Sequence, residues 1–64
     1  MNIEYDRETD SLTINLREAK IKESDELKPG VIVDFGYDGG VVSIEILHAS
    51  RVVEKTCEIH FAVA

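Results

Sequence analysis

Apolar residues recur at every second position through most of this chain. That period constrains the fold more than any other feature, because it is the period of a β-strand with one buried face. The strongest instance is VDFGYDGGVVSIEIL, from Val33 to Leu47. A two-residue type I′ turn at Asp38-Gly39, with Gly39 supplying a positive φ, sets Tyr37 opposite Gly40. Phe35 then meets Val42, Val33 meets Ile44 and Val31 meets Ile46 on one face. On the other face Asp34 meets Ser43 and Ile32 meets Glu45. A slip of one residue would set apolar against polar along the whole hairpin, so the pattern predicts this register and no neighbouring one.

The same period places Ile3 and Tyr5 on one face of NIEY, and Leu12, Ile14 and Leu16 on one face of SLTINLR. Between them DRETDS is a turn, rich in side chains that bond their own backbone. KIKESDEL has only Ile21 and Leu27 to bury and reads as a short edge strand, whose charges oppose edge-to-edge pairing. KPG then breaks the chain before the hairpin. After Leu47, HASRVVEK reads as one or two helical turns over residues 48–55, and TCEIHFAVA returns to alternation. A helix continuing from Ala49 is the rival there, but the β-branched and aromatic residues favour a closing strand. The expected fold is α+β, mainly β. It is one domain over 1–64, an antiparallel β-meander of five or six strands with one short helical segment near the C-terminus and a closing strand.

Thirteen acidic residues against seven basic ones give a formal charge of −6. Nucleic-acid binding neutralises phosphates with Lys and Arg, and here the long-range field repels them, so direct nucleic-acid binding is not expected. The longest uncharged apolar run is four or five residues, far short of the roughly 20 that cross a bilayer as a helix. MNIEYDRETD has no basic region followed by an apolar one, unlike a secretory signal. A single cysteine, Cys57, forms no internal disulfide and fits a reducing cytoplasm.

Candidate chemistry is sparse. Glu45 and its diagonal neighbour Asp34 are carboxylates on the face away from the apolar layer, where a solvated role outweighs a catalytic one. His48, Cys57 and His60 form the single metal-like set. Cys57 and His60, three apart on a strand, point to opposite faces and do not share an ion. No serine has a nucleophile-elbow context, and His48 beside Ser50 reads as local capping. A chain of this size also has little material to enclose a substrate. No catalytic, cofactor-binding or metal-binding residue is assigned, no cofactor is expected, and the protein is not expected to be an enzyme.

The stretches YDRETDSLTINL (Tyr5–Leu16) and PGVIVDFGYDGGVVSIEIL with AS (Pro29–Ser50) resemble the small prokaryotic family called domain of unknown function 2283. Its members read loosely as Y-D-x-x-x-D-x-L-x-I-x-L, then G-V-I-V-D-[YF] and a D-G turn, then G-I-E-I-L and A-S. Ser43 replaces the usual Gly before I-E-I-L, and His48 stands where Asp or Asn is usual. The resemblance implies a small antiparallel β domain and carries over no catalytic residue. Some members look like partners of small basic ribonuclease-type toxins. The leading expected function is a non-enzymatic protein-interaction module, for which the resemblance implies the acidic antitoxin of such a toxin as one form. The alternatives are a structural homo-oligomer and a small-ligand binder using Asp34, Glu45 and His48. A homodimer is expected as well. One helical segment of about 12 Å cannot cover a sheet roughly 20 Å wide. Cys57, Ile59, Phe61 and Val63 are expected at or beside that interface.

Overall fold

A computed structural model describes residues 1–63. Five strands form one antiparallel sheet: β1 (Asn2–Asp6), β2 (Ser11–Asn15), β3 (Ile21–Lys28), β4 (Val31–Gly36) and β5 (Val41–Leu47). Their order across the sheet is β1-β2-β5-β4-β3, so the arrangement is not a meander. Strands β2 to β5 make a Greek key, because β2 pairs with β5 and not with β3. The reason lies in β3. Every residue of IKESDELK is exposed, and a strand with so little to bury cannot occupy the middle of a half-buried sheet. Ile44 and Ile46 of β5 take that position, facing Ile14 and Leu12.

Register partners share a face. On one face two apolar rows cross four strands: Ile3, Ile14, Ile44, Val33 and then Tyr5, Leu12, Ile46, Val31. Both rows end in charge on β3, at Asp25 and Lys28. Among the described residues, Leu12, Val33, Val42 and Ala49 are the buried apolar side chains. The opposite face is polar. Its rows run Asn2, Asn15, Ser43, Asp34, Ser24 and Glu4, Thr13, Glu45, Ile32, Glu26.

The β4–β5 register follows the alternation from Val31–Ile46 to Asp34–Ser43, with Glu45 and Ile44 on opposite faces as expected. At the tip it departs. Phe35 pairs with Val41 and not with Val42, one residue being absorbed in a bulge. The loop is Tyr37–Gly39. The Gly39 amide donates to the Gly36 carbonyl (3.1 Å) and the Gly36 amide to the Gly40 carbonyl (2.9 Å). Gly39 has φ +83° while Asp38 stays at negative φ, so this is a type I turn with a left-handed third residue, not type I′.

Beyond Leu47 the expected helix reduces to one 3₁₀ turn, Ala49–Arg51, and the α component of the α+β reading is overstated. The closing strand does not form: Cys57, Ile59, Phe61 and Val63 are exposed, with no ladder partner among the described residues. Alternation makes a segment ready to pair, but a strand exists only against an edge that accepts it.

Candidate functional site

Three polar constellations lie on this frame. The first joins the β1–β2 turn to the 3₁₀ turn. Asp10 adopts φ +51°, a left-handed conformation that Asp tolerates better than most residues. Its carboxylate accepts the Tyr5 hydroxyl (2.6 Å), the Ser50 hydroxyl (2.6 Å) and the Ser50 amide (3.0 Å). Its carbonyl accepts the Ala49 amide at 2.9 Å. Hydrogen bonds from Ser50 and then Tyr5 hold the Asp10 carboxyl below the usual carboxylate range, and the same bond to Asp10 raises the Tyr5 phenol. A Ser–Asp–Tyr cluster suggests catalysis, yet its chemistry is that of a clamp. A carboxylate that already accepts three hydrogen bonds and binds protons weakly is a poor base for a serine nucleophile.

The second constellation crosses the polar face. Asp34 accepts the Ser24 hydroxyl at one oxygen and the Ser43 hydroxyl at the other, both at 2.5 Å. Ser43 is 3% exposed, the one buried polar side chain among the described residues. Three strands are thereby stitched through one carboxylate. The residue that departs from the usual glycine of the resembling pattern supplies one of its two donors.

The third closes the Greek key. The β2–β3 connection crosses the tip of the β4–β5 hairpin, and there the Arg17 guanidinium forks onto Asp38 at 2.7 and 2.9 Å. Arg17 Nε also donates to the Val41 carbonyl at 3.2 Å. A Cβ on Gly40 would stand 3.0 Å from Arg17 Nη2, so the glycine makes the space this approach needs. The Arg17 hydrogen bond, and then the Gly40 amide, lower the Asp38 carboxyl to about 2.

The sign of the resulting pH dependence follows directly. A folded-state value below the unfolded one, near 3.9, contributes stability above about pH 4 that disappears as pH falls through about 2. Thermal melts of wild type and Asp38→Asn are therefore expected to differ at pH 6 and to converge near pH 2. Both groups are solvent-exposed, so the difference is small and shrinks with salt. Equal separation of the two curves at pH 6 and pH 2 would contradict the assignment.

The residues singled out from sequence do not converge. Glu45 sits between Thr13 and Ile32 on the polar face, and Asp34 is spent on its two serines. His48, exposed and at φ +51°, precedes the 3₁₀ turn. No hydrogen bond among the described residues joins it to Asp34 or Glu45. Cys57 is exposed and free, and His60 contacts Glu58 at 3.0 Å. No three His, Cys, Asp or Glu side chains gather to hold a metal ion among the described residues. An open groove of about 610 Å³ lies beside the Arg17 crossover, with Asn2, Asn15 and Ser43 along its wall. Of the residues that organise the observed polar contacts, Asp10 and Ser50 have a signal in their places in Y-D-x-x-x-D and A-S, and Arg17 has none in the local pattern.

Residues 2–50 match the model of a family described as protein of unknown function (DUF2283). An uncharacterized protein of Methanocaldococcus jannaschii is 41% identical over 51 residues, covering 80% of this chain. The chain spans 43% of the length of that relative. No solved structure matches. No helix among the described residues is long and apolar enough to cross a membrane.

Proposed function

The chain belongs to DUF2283, a protein family of unknown function, and on that premise we propose that it is a non-enzymatic interaction module that binds a basic protein through the polar face of its sheet. One observation carries this reading. The ladder positions of that face present Glu4, Asp6, Glu26, Asp34 and Glu45, and not one Lys or Arg. Asp34 is committed internally, which leaves four carboxylates directed outward from a rigid, preorganised surface. Such a face steers a cationic partner into place and repels an anionic one.

The partner that fits best is a small basic ribonuclease-type toxin, with this chain as the antitoxin covering its surface. The net charge of −6 and the family resemblance support it. The test is affinity capture from the native host with the wild-type chain and with the double variant Glu4→Lys, Glu45→Lys. The expected catch is a basic protein that elutes as salt is raised and is lost with the double variant. Co-expression is then expected to relieve the growth arrest that the captured protein causes. Capture indifferent to both substitutions and to salt would overturn the reading.

A further inference from the structure

We propose that the apolar face of the sheet is the interface of a two-fold homodimer, two copies stacking sheet on sheet. This concerns the face opposite the one assigned to a basic partner, and it stands independently of that assignment.

Domains bury a sheet face by placing a second layer on it. Here there is one layer. The 3₁₀ turn covers the Asp10 end and Thr56 lies beside the Tyr5 hydroxyl, while Ile3, Ile14, Ile44 and Ile46 remain only half-buried. The chain is 19 Å across its thinnest dimension, and its radius of gyration is 12.3 Å, against about 10.7 Å for a compact domain of this length. Its accessible surface is 5170 Å², whereas a folded monomer of 7.2 kDa exposes about 4100 Å². The excess of roughly 1000 Å² includes the exposed Val52, Ile59, Phe61 and Val63 beyond the 3₁₀ turn, and it is of the order of the roughly 800 Å² that each partner contributes to a standard interface.

Charge identifies the occupant as a second copy. Two chains of −6 repel, yet the polar face carries five carboxylates while the two apolar rows carry no charge short of β3. Stacked apolar face to apolar face, the sheets lie about 10 Å apart with both acidic faces turned outward, separated by more than a Debye length of about 8–10 Å. The margin is self-complementary too. Asp25 and Lys28 end the two rows with opposite signs, so an antiparallel two-fold arrangement sets each against the other's counterpart. The exposed side chains of Ile59 and Phe61 then have a rim to fold into.

Light scattering and thermal melts of the full chain test this. The expected species has twice the 7.2 kDa chain mass, and a tenfold dilution is expected to lower Tm by about 5 °C, as mass action requires of a coupled dimer. Ile44→Lys, on the apolar face, is expected to shift the mass to that of one chain. Glu45→Lys, its neighbour on the other face, is expected to leave it doubled. A wild-type species of one chain mass whose Tm ignores concentration would overturn the proposal, as would an Ile44→Lys protein that remains a dimer. Should Ile44→Lys fail to fold, the wild-type dilution series still decides. None of these readouts involves the basic partner, so the two readings fail separately.

Discussion

Leu12→Ala is expected to remove about 2.7–5 kcal/mol of this protein's stability. Leu12 is one of four buried apolar side chains among the described residues, and it stands between Tyr5 of β1 and Ile46 of β5, where the hairpin β1–β2 joins the rest of the sheet. Removing a buried leucine costs about 2.7–5 kcal/mol, from lost transfer energy and from the cavity left behind. A 64-residue chain at the usual stability per residue has about 3–10 kcal/mol in total. The substitution therefore removes much of the stability. Leu16→Ala, at an exposed position four residues further along, is expected to be nearly silent. Urea titration of both variants distinguishes them. A Leu12→Ala midpoint equal to wild type would mean that the apolar rows are not what holds the sheet together.

The contrast between Leu12 and Leu16 marks what alternation reveals and where it stops. Period two assigns faces, so the pairs from Val31–Ile46 to Asp34–Ser43 are legible without a structure. It does not assign neighbours. A meander is the simplest reading of consecutive strands, but β3 is too polar to lie beside β2, and that comparison depends on the whole sheet rather than on any local pattern. The hairpin tip is hidden for a similar reason. Arg17, far away in sequence, occupies the space beside Gly40, and the loop adopts the shape that admits it. The tail illustrates the converse error, since CEIHFAV alternates as well as β2 does yet has no ladder partner among the described residues. The polar contacts were the least legible. Asp10 stands in a stretch that reads as an ordinary turn, and its acceptors are used by a serine 40 residues away.

That long-range contact underlies the second large effect: Ala49→Leu is expected to cost about 1–3 kcal/mol and to detach the segment after Leu47. Ala49 is 0% exposed. Its amide is held by the Asp10 carbonyl at 2.9 Å, and its own carbonyl accepts the amides of Val52 at 3.0 Å and Val53 at 2.7 Å. The backbone is thus fixed on both sides of a side chain that has no space around it, and three added carbons must push the 3₁₀ turn off the sheet. The Ser50 bonds to Asp10 would break with it, since they begin one residue along. Asp10→Asn is the informative companion. Asn also tolerates the left-handed conformation, but its amide replaces one acceptor oxygen with a donor, so either the Ser50 hydroxyl, or the Tyr5 hydroxyl together with the Ser50 amide, loses its acceptor. The Asn variant is expected to keep the turn docked with faster exchange of the Ser50 amide, whereas in the Leu variant the amides of Ala49 and Ser50 both lose protection. Hydrogen exchange at these two amides separates the cases. If Ala49→Leu left both as protected as in wild type, the buried methyl would not be the point at which the 3₁₀ turn is held.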